Sequence, residues 1–407
     1  MQRIVLAYSG GLHTSVSIAW LREQYDADVI AVTLDLGQGR DLTDIRERAL
    51  AIGAARAHVL DAREEFARDF CLPALQAGAL YEHRYPLSTS LGRPLIAKHL
   101  VQIAQMEGAS AIAHGCTGKG NDQVRLDVSA RALHPGIAVI APVRIWELSR
   151  TEEVAYARAR NIPVPASIDL PYSIDTNLWG RSIACGQLED PWLEPPEDVY
   201  RLTRPFEKCS NVPAYVEVEF ERGVPTKING VAMGLLELIS LLHTIAGDHG
   251  VGRLDMVENR VIGIKSREVY EAPAGVVLHA ARQALLMMVS TRELERTVSQ
   301  LATTYADLVY NGFWFTPLRA ALDAFTASVQ DRMTGVIRLK LFKGHCTVVG
   351  RRSPYALYDH ALSTYGADDQ FDHDAAEGFI RIYGLPAETA ARKAPAVVDR
   401  AAARKSS

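Results

Sequence analysis

Cysteine is scarce in this chain and scattered where it occurs. The five cysteines, Cys71, Cys116, Cys185, Cys209 and Cys346, form no C-x-x-C pair. That excludes a disulfide framework and a zinc ribbon and reads as reduced thiols. No uninterrupted apolar run reaches the ~18 residues that a membrane helix needs. An excess of one charge is lacking too. The 44 Lys and Arg against 48 Asp and Glu leave a net charge of −4, so no global field draws the chain to nucleic acid or an anionic membrane. Met1-Gln2-Arg3 runs straight into apolar Ile4–Tyr8, without a secretory n-region and h-region. A cytoplasmic protein is expected.

What is present is an ordinary globular composition, 48% hydrophobic and 23% charged over 407 residues. That length suits two or three domains of ~100–200 residues. Short apolar segments at Ile4–Tyr8, Val29–Leu34, Ala57–Leu60, Ala111–His114 and Ala138–Ala141 read as strands. Between them, Ser15–Glu23, Asp44–Ile52, Glu64–Gln76, Pro94–Glu107 and Asn121–Leu133 have helical period. Such alternation predicts a doubly wound α/β domain whose ligands sit at the carboxyl ends of parallel strands. Pro-rich Asn161–Pro171 and Pro191–Pro196 interrupt it, which places a domain change near residue 165. Beyond it the chain reads α+β. Tyr215–Glu221 alternates strictly, Met233–Ile245 and Val276–Val289 are helical, and Val336–Leu341 with Thr347–Gly350 forms a hairpin around Lys343-Gly344. The last ~25 residues, rich in Ala, Arg and Lys, read as a solvated or partner-docked tail. The division is 1–165, 166–365 and 366–407.

Two glycine-rich turns carry the chemistry. Ser9-Gly10-Gly11-Leu12-His13-Thr14-Ser15 follows the first strand and opens a helix. Glycines let the backbone approach a phosphate, and helix-start N–H groups and hydroxyls offer donors to it. The spacing is neither the Walker loop nor a dinucleotide fingerprint. It resembles the S-G-G-x-D-[ST]-[ST] loop of ATP pyrophosphatases; a capped glycine turn is the plainer reading. Gly115-Cys116-Thr117-Gly118-Lys119-Gly120-Asn121-Asp122-Gln123-Val124-Arg125 follows the fourth strand. Thr117, Asn121, Asp122 and Arg125 offer a hydroxyl, an amide, a carboxylate and a guanidinium within nine residues. That set suits an amino acid, whose carboxylates need donors and whose amine needs an acceptor.

Ala7–Ser15 and Gly115–Arg125 together resemble the two signatures of the argininosuccinate synthase family. Ordered blocks extend the resemblance over about residues 3–380: Tyr81–Tyr85 with Thr89-Ser90, Arg93–Lys98, Pro171–Ser173, Leu188–Pro191, Gly250–Arg253, Val257–Arg260, Lys265–Arg267 and Leu308–Tyr310. It implies an α/β nucleotide-binding domain, an α+β synthetase domain and a C-terminal oligomerisation tail. It also implies a two-step ligation in which citrulline is adenylated by ATP, with Mg2+ accompanying the nucleotide, and aspartate then displaces AMP. By the same resemblance Ala7, Tyr8, Ser9, Gly10, Gly11, Leu12, His13, Thr14, Ser15, Leu34 and Gly115 hold ATP. Tyr85, Ser90, Asn121, Arg125, Ser173, Ser182, Glu258 and Tyr270 hold citrulline, and Thr117, Asn121 and Asp122 hold aspartate. No protein-built metal site, nucleic-acid partner or membrane partner is implied. A homotetramer is.

Each residue also has a structural reading of its own. Tyr85 and Tyr270 fit as core tyrosines; Ser90, Ser173 and Ser182 fit as turn or cap residues. Glu258 could pair with Arg260 or Arg253 on a solvated face. Three positions depart from the family pattern: His13 for Asp, Leu126 for Phe and Ala184 for Glu. Histidine is a poor replacement for a hard oxygen ligand to magnesium. These departures leave room for a paralogue acting on another ureido, amide or acid substrate, or for a non-catalytic member.

Overall fold

The computed structural model describes residues 2–39, 42–146, 148–163 and 171–394. The domain change expected near residue 165 falls outside them. By internal contact the chain forms two compact units, Met1–Ala356 and Leu357–Ser407. The α/β segment and the α+β segment after it both fall within the first unit up to Ala356.

The chain opens with β1 (Gln2–Ala7), α1 (Leu12–Tyr25), β2 (Ala27–Asp35), α2 (Leu42–Ile52) and β3 (Arg56–Asp61). A helical run follows as α3 (Arg63–Phe66), a π turn at Ala67–Cys71 and α4 (Leu72–Ala77). Pro73 has no N–H to continue the α-helical ladder, and the π turn accommodates that missing bond. Next come α5 (Ser88–Glu107), β4 (Ala111–His114), α6 (Asn121–Leu133), β5 (Ala138–Ile140), α7 (Pro142–Ile145) and α8 (Arg150–Ala159). The first sheet has the order β3-β2-β1-β4-β5, all parallel. Its order reverses between β1 and β4, where Ala7 pairs with His114. The two glycine-rich turns thus leave the sheet side by side at the switch point, where such folds bind ligands.

One helix start differs from expectation. Pro94 lies inside α5, which begins six residues earlier at Ser88. A proline reads locally as a first-turn residue. Here the buried face of Leu91, Leu95 and Leu100 keeps the helix running through the lost bond. Thr89 and Ser90 become helical as a result.

The remainder comprises β6 (Ser173–Asn177), β7 (Gly180–Ala184), β8 (Ala214–Glu221), β9 (Val224–Ile228), β10 (Val231–Ala232), α9 (Leu235–Asp248), β11 (Arg253–Asn259) and β12 (Lys265–Glu271). After these come α10 (Pro273–Val289), α11 (Arg292–Tyr310), α12 (Pro317–Gln330), β13 (Gly335–Phe342) and β14 (His345–Arg352). Two antiparallel sheets result, β10-β9-β8-β13-β14 and β11-β12-β7-β6. Val216, Val218 and Phe220 of β8 are fully buried, as their alternation requires. Lys343 and Gly344 both take positive φ in the tight β13–β14 turn.

The four-stranded sheet is what brings the second half to the switch point. Asn177 donates to the Ser88 carbonyl at 2.8 Å, and the Trp179 indole N–H donates to the Pro86 carbonyl at 2.8 Å. Both tie the β6–β7 hairpin to the start of α5. The end of β12 is held by Glu271, wholly buried. Its carboxylate accepts from Arg181 at 2.7 Å and from the backbone N–H groups of Arg201, Leu202 and Thr203. A buried carboxylate with so many donors is well compensated.

The second unit contains α13 (His360–Ser363) and α14 (His373–Lys393). The described part of the expected solvated or partner-docked tail lies in the long helix α14. Its Phe379, Ile380 and Tyr383 fall on one face at helical spacing, and none of its residues is buried within this chain. No helix among the described residues is long and apolar enough to cross a membrane.

Candidate active site

The first loop is bound up in its own hydroxyls. Ser9 Oγ and Thr14 Oγ1 lie 3.2 Å apart, the Gly11 N–H donates to Ser9 Oγ, and Tyr8 Oη is 3.2 Å from Ser15 Oγ. Gly10 adopts φ +74°, which glycine takes without strain. Helix α1 then starts with no side-chain cap, and a helix N-terminus favours an anion. Arg48 of α2 donates to the Gly10 carbonyl at 3.1 Å and places a cation beside the loop. Leu34 closes the end of β2 and is almost fully buried. Gly115 is glycine for a reason of space: a Cβ there would stand 2.9 Å from Thr14 Cγ2. The second turn therefore lies directly on the first.

On the loop's first helical turn, His13 contacts a carboxylate. Its Nδ1 lies 2.8 Å from Oε1 of Glu153 on α8, and Glu153 is buried while His13 is half-exposed. No signal local to the loop announces that partner.

Beyond the second turn opens a cleft of about 570 Å3, lined from both halves of the unit. Tyr85, Thr117, Asn121, Asp122, Arg125, Ser173, Ser182, Glu258 and Tyr270, all singled out from the sequence, line it. Ser90 does not. It is fully buried and its hydroxyl has no partner; its neighbour Thr89 faces the cleft instead, 3.0 Å from Ser182 Oγ.

Charges of both signs line the cleft. On one wall Asp122 accepts from Arg93 at 2.8 Å and from Arg125 at 2.9 Å. Burial opposes the charge of Asp122, but the two guanidiniums outweigh it and hold the carboxyl below its ordinary value. Arg93 also pairs with Asp175. Arg125 is buried, its Nε donates to the Tyr310 carbonyl at 2.8 Å, and its guanidinium lies 4.6 Å from the Tyr310 ring centroid. Its Nη2 has no acceptor among the described residues. On the opposite wall Glu258 is 1% exposed and accepts from the hydroxyls of Tyr270, at 2.6 Å, and Tyr310. Burial pushes its carboxyl up, and the two hydroxyls and Arg125 offset this only in part. Glu258 pairs with neither arginine near it in sequence. Arg260 takes Glu268 at 2.5 Å and Arg253 takes Glu197 at 2.7 Å.

Tyr310 joins the walls. Asn121 Nδ2 donates to its hydroxyl at 2.8 Å, and that hydroxyl donates on to Glu258. Two stacked pairs set the tyrosines, Tyr81 on Tyr310 at 3.5 Å and Tyr85 on Tyr270 at 3.8 Å between ring centroids. Thr89, Arg93, Asp175, Arg260, Glu268 and Tyr310 all shape the site without a role assigned from sequence. Arg93, Arg260 and Tyr310 stood inside the matched blocks, so position within a block was the available signal.

Comparison with known proteins agrees with the geometry over nearly the whole chain. Residues 3–163 match the arginosuccinate synthase N-terminal HUP domain and residues 172–390 the arginosuccinate synthase C-terminal domain. The chain belongs to the argininosuccinate synthase family. Argininosuccinate synthases of Bacillus thuringiensis (strain Al Hakam) and Bacillus cereus (strain 03BB102) are each 55% identical over 385 residues, covering 95% of this chain and 96% of the relative. Among solved structures, the U34-tRNA thiolase NcsA from Methanococcus maripaludis aligns with 41% of this chain and 59% of its own. That match has 17% identity and a TM-score of 0.28, a likeness too slight to bear on activity.

Within the argininosuccinate synthase frame the three departures have different surroundings. Leu126 is buried on α6 away from the cleft, Ala184 lines the cleft, and His13 sits on the first glycine-rich loop with Glu153.

Proposed function

We infer that this chain ligates citrulline and aspartate to argininosuccinate, consuming ATP and releasing AMP and pyrophosphate. The single observation that carries the assignment of roles is the Asn121–Tyr310–Glu258 bridge. It ties Glu258 to the wall that holds Arg125 in one cleft, next to the phosphate-type loop. An amino acid's ammonium and carboxylate need such opposed partners.

In the first step the ureido oxygen of citrulline bonds to the α-phosphorus, and the bond to the bridging oxygen of pyrophosphate breaks. In the second the aspartate amine bonds to the ureido carbon, AMP leaves with the oxygen, and the nitrogen gives up a proton. Neither step needs a covalent enzyme intermediate, so the residues act by holding reactants and stabilising charge. Ala7–Ser15, Leu34 and Gly115 hold ATP, the loop N–H groups and hydroxyls facing its phosphates. Glu258 takes the citrulline ammonium between Tyr270 and Tyr310, and Nη2 of Arg125 takes its carboxylate. Tyr85, Ser173, Ser182 and Asn121 complete that pocket, with Thr89 doing what sequence assigned to Ser90. Thr117, Asn121 and Asp122 hold aspartate.

Mg2+ enters as the ion of the nucleotide substrate. The loop offers hydroxyls and an imidazole but no carboxylate, Asp122 is committed to two arginines, and no group of three ligating side chains stands together among the described residues. The phosphates and water would supply most of its oxygens, as magnesium prefers.

The 1–165 and 166–365 segments act as nucleotide-binding and synthetase domains, and the chain works in the cytoplasm as a homotetramer. The exposed apolar face of α14 supports the last point, since Ile380 and Tyr383 are over 60% exposed within this chain. Incubation with ATP, citrulline and aspartate followed by product chromatography tests the activity. AMP, pyrophosphate and argininosuccinate are expected. ADP and phosphate, or adenylation of analogues in preference to citrulline, would overturn the reading.

A further inference from the structure

Among the described residues of the first unit, three arginines are deeply buried. Two have a carboxylate in contact, Arg125 with Asp122 at 2.9 Å and Arg181 with Glu271 at 2.7 Å. The third, Arg282 on α10, is 3% exposed and has none among the described residues. Its Nη2 donates to the Gln76 carbonyl at 2.9 Å, its Nη1 reaches the Gln283 side-chain oxygen at 3.4 Å, and its Nε is buried without a partner. Burial alone pulls it down to about 10. A guanidinium left in this state is costly, because burying a charge is tolerated chiefly when an opposite charge compensates it.

The surroundings of Arg282 sharpen the point. Gly78, at φ +74°, lets the guanidinium lie against the backbone; a Cβ there would stand 2.6 Å from Nη1. His279, one turn earlier on α10, is also buried, its Nε2 has no partner, and burial with the charge of Arg282 pushes it down to about 3. Beside both lies a cavity of about 240 Å3, walled also by His83, Ser299 and Thr303. No acidic side chain lines it. A cavity of that size holds a phosphate or a small carboxylate with a few waters, at roughly 30 Å3 per water.

We propose that the cavity on Arg282 is a small-oxyanion site, taking inorganic phosphate or a small carboxylate, separate from the cleft that ligates amino acids. The anion supplies the counter-charge that the fold withholds from Arg282. His83 also lines the cavity, in the Tyr81–Tyr85 turn whose last residue, Tyr85, lines the amino-acid cleft.

The test is thermal unfolding and calorimetric titration of the full chain with inorganic phosphate, with sodium acetate, and with sodium chloride as control. Wild type should show saturable stabilisation by phosphate or acetate beyond chloride, and the two arms decide which oxyanion is taken. Arg282→Met keeps the stem and removes the charge; it should bind that anion ~tenfold or more weakly, the scale of a lost charge-assisted hydrogen bond. Its response to ATP should be unchanged. Thr303→Glu supplies a tethered carboxylate from the cavity wall and should be stabilised without added anion and blind to it. An equal phosphate response in wild type and both variants would place binding elsewhere, at the ATP loop above all, and overturn the proposal. So would no response in wild type. Dissociation of Arg282→Met into smaller species with no anion response would overturn it too, assigning the counter-charge to another copy of the chain.

Discussion

The imidazole Nδ1 of His13 lies 2.8 Å from the buried carboxylate of Glu153, so the first glycine-rich loop and helix α8 share one side-chain contact. The position where the family loop carries an acid here carries the partner of one. Restoring that acid therefore differs from repairing a damaged loop. His13→Asp would set two carboxylates against each other with Glu153 unable to reach water, at a cost of roughly 1–3 kcal/mol. We expect His13→Asp alone to lower stability in urea and to slow turnover. The double variant His13→Asp, Glu153→Gln should regain both, and its turnover should depend more steeply on Mg2+. Additive effects of the two substitutions would show that the contact is inconsequential.

Arg125 tests the amino-acid wall. Arg125→Ala should cost roughly 2–4 kcal/mol in citrulline use, because a substrate carboxylate loses its charged donor. Asp122 retains Arg93 at 2.8 Å, so the variant should stay folded. Calorimetric ATP affinity should change little while KM for citrulline rises steeply. A comparable loss of ATP affinity would count against the assignment.

Such sites are legible in sequence to the extent that their chemistry is local. Ser9–Ser15 and Gly115–Arg125 gather their glycines, hydroxyls and charges within a few residues, and the order of strands then forces them together at Ala7 and His114. The partners that finish the site come from far away. Glu153 is 140 residues from His13 and Tyr310 is 189 from Asn121, and no periodicity links such pairs. Pro94 misled in the other direction. Its local preference for a first turn was overridden by the apolar face that α5 buries from Leu91 onward. The helix in the C-terminal segment was not named from sequence because Ala, Arg and Lys dominate the chain's end, while the stripe of Phe379, Ile380 and Tyr383 lies just before it.

Glu268 makes stability depend on pH. It lines the cleft, and burial raises its carboxyl from 4.5 to about 7, with Glu258 adding to the rise and Arg260 and Ser266 opposing it. A raised folded value means the native state holds more protons than the unfolded chain between those limits. Stability is therefore full below about 4.5 and falls as pH rises towards 7. Glu268→Gln should flatten that fall, by an amount on the order of 3 kcal/mol at most. Urea midpoints measured from pH 5 to 8 on both proteins check it. Parallel curves would remove Glu268 as the cause.

Tyr310 is the closest test of the bridge itself. Its hydroxyl accepts from Asn121 and donates to Glu258, while its ring stacks on Tyr81 and lies over the Arg125 guanidinium. Tyr310→Phe removes the first two contacts and keeps the last two. Glu258 would retain the Tyr270 hydroxyl at 2.6 Å, and Asn121 would still accept from the Val261 N–H at 3.0 Å. The fold should therefore persist with a loss of roughly 1.5–3 kcal/mol, the scale of a hydrogen bond to a charged group. The substrate effect should be selective. Glu258 and Asn121 would each lose their fixed orientation, so KM for citrulline should rise by about tenfold or more, and that for aspartate less, since Thr117 and Asp122 are untouched. ATP affinity should hold, because no contact of Tyr310 reaches the Ser9–Ser15 loop. Unchanged kinetics for both amino acids in a folded Tyr310→Phe protein would mean that the cleft binds them without the bridge.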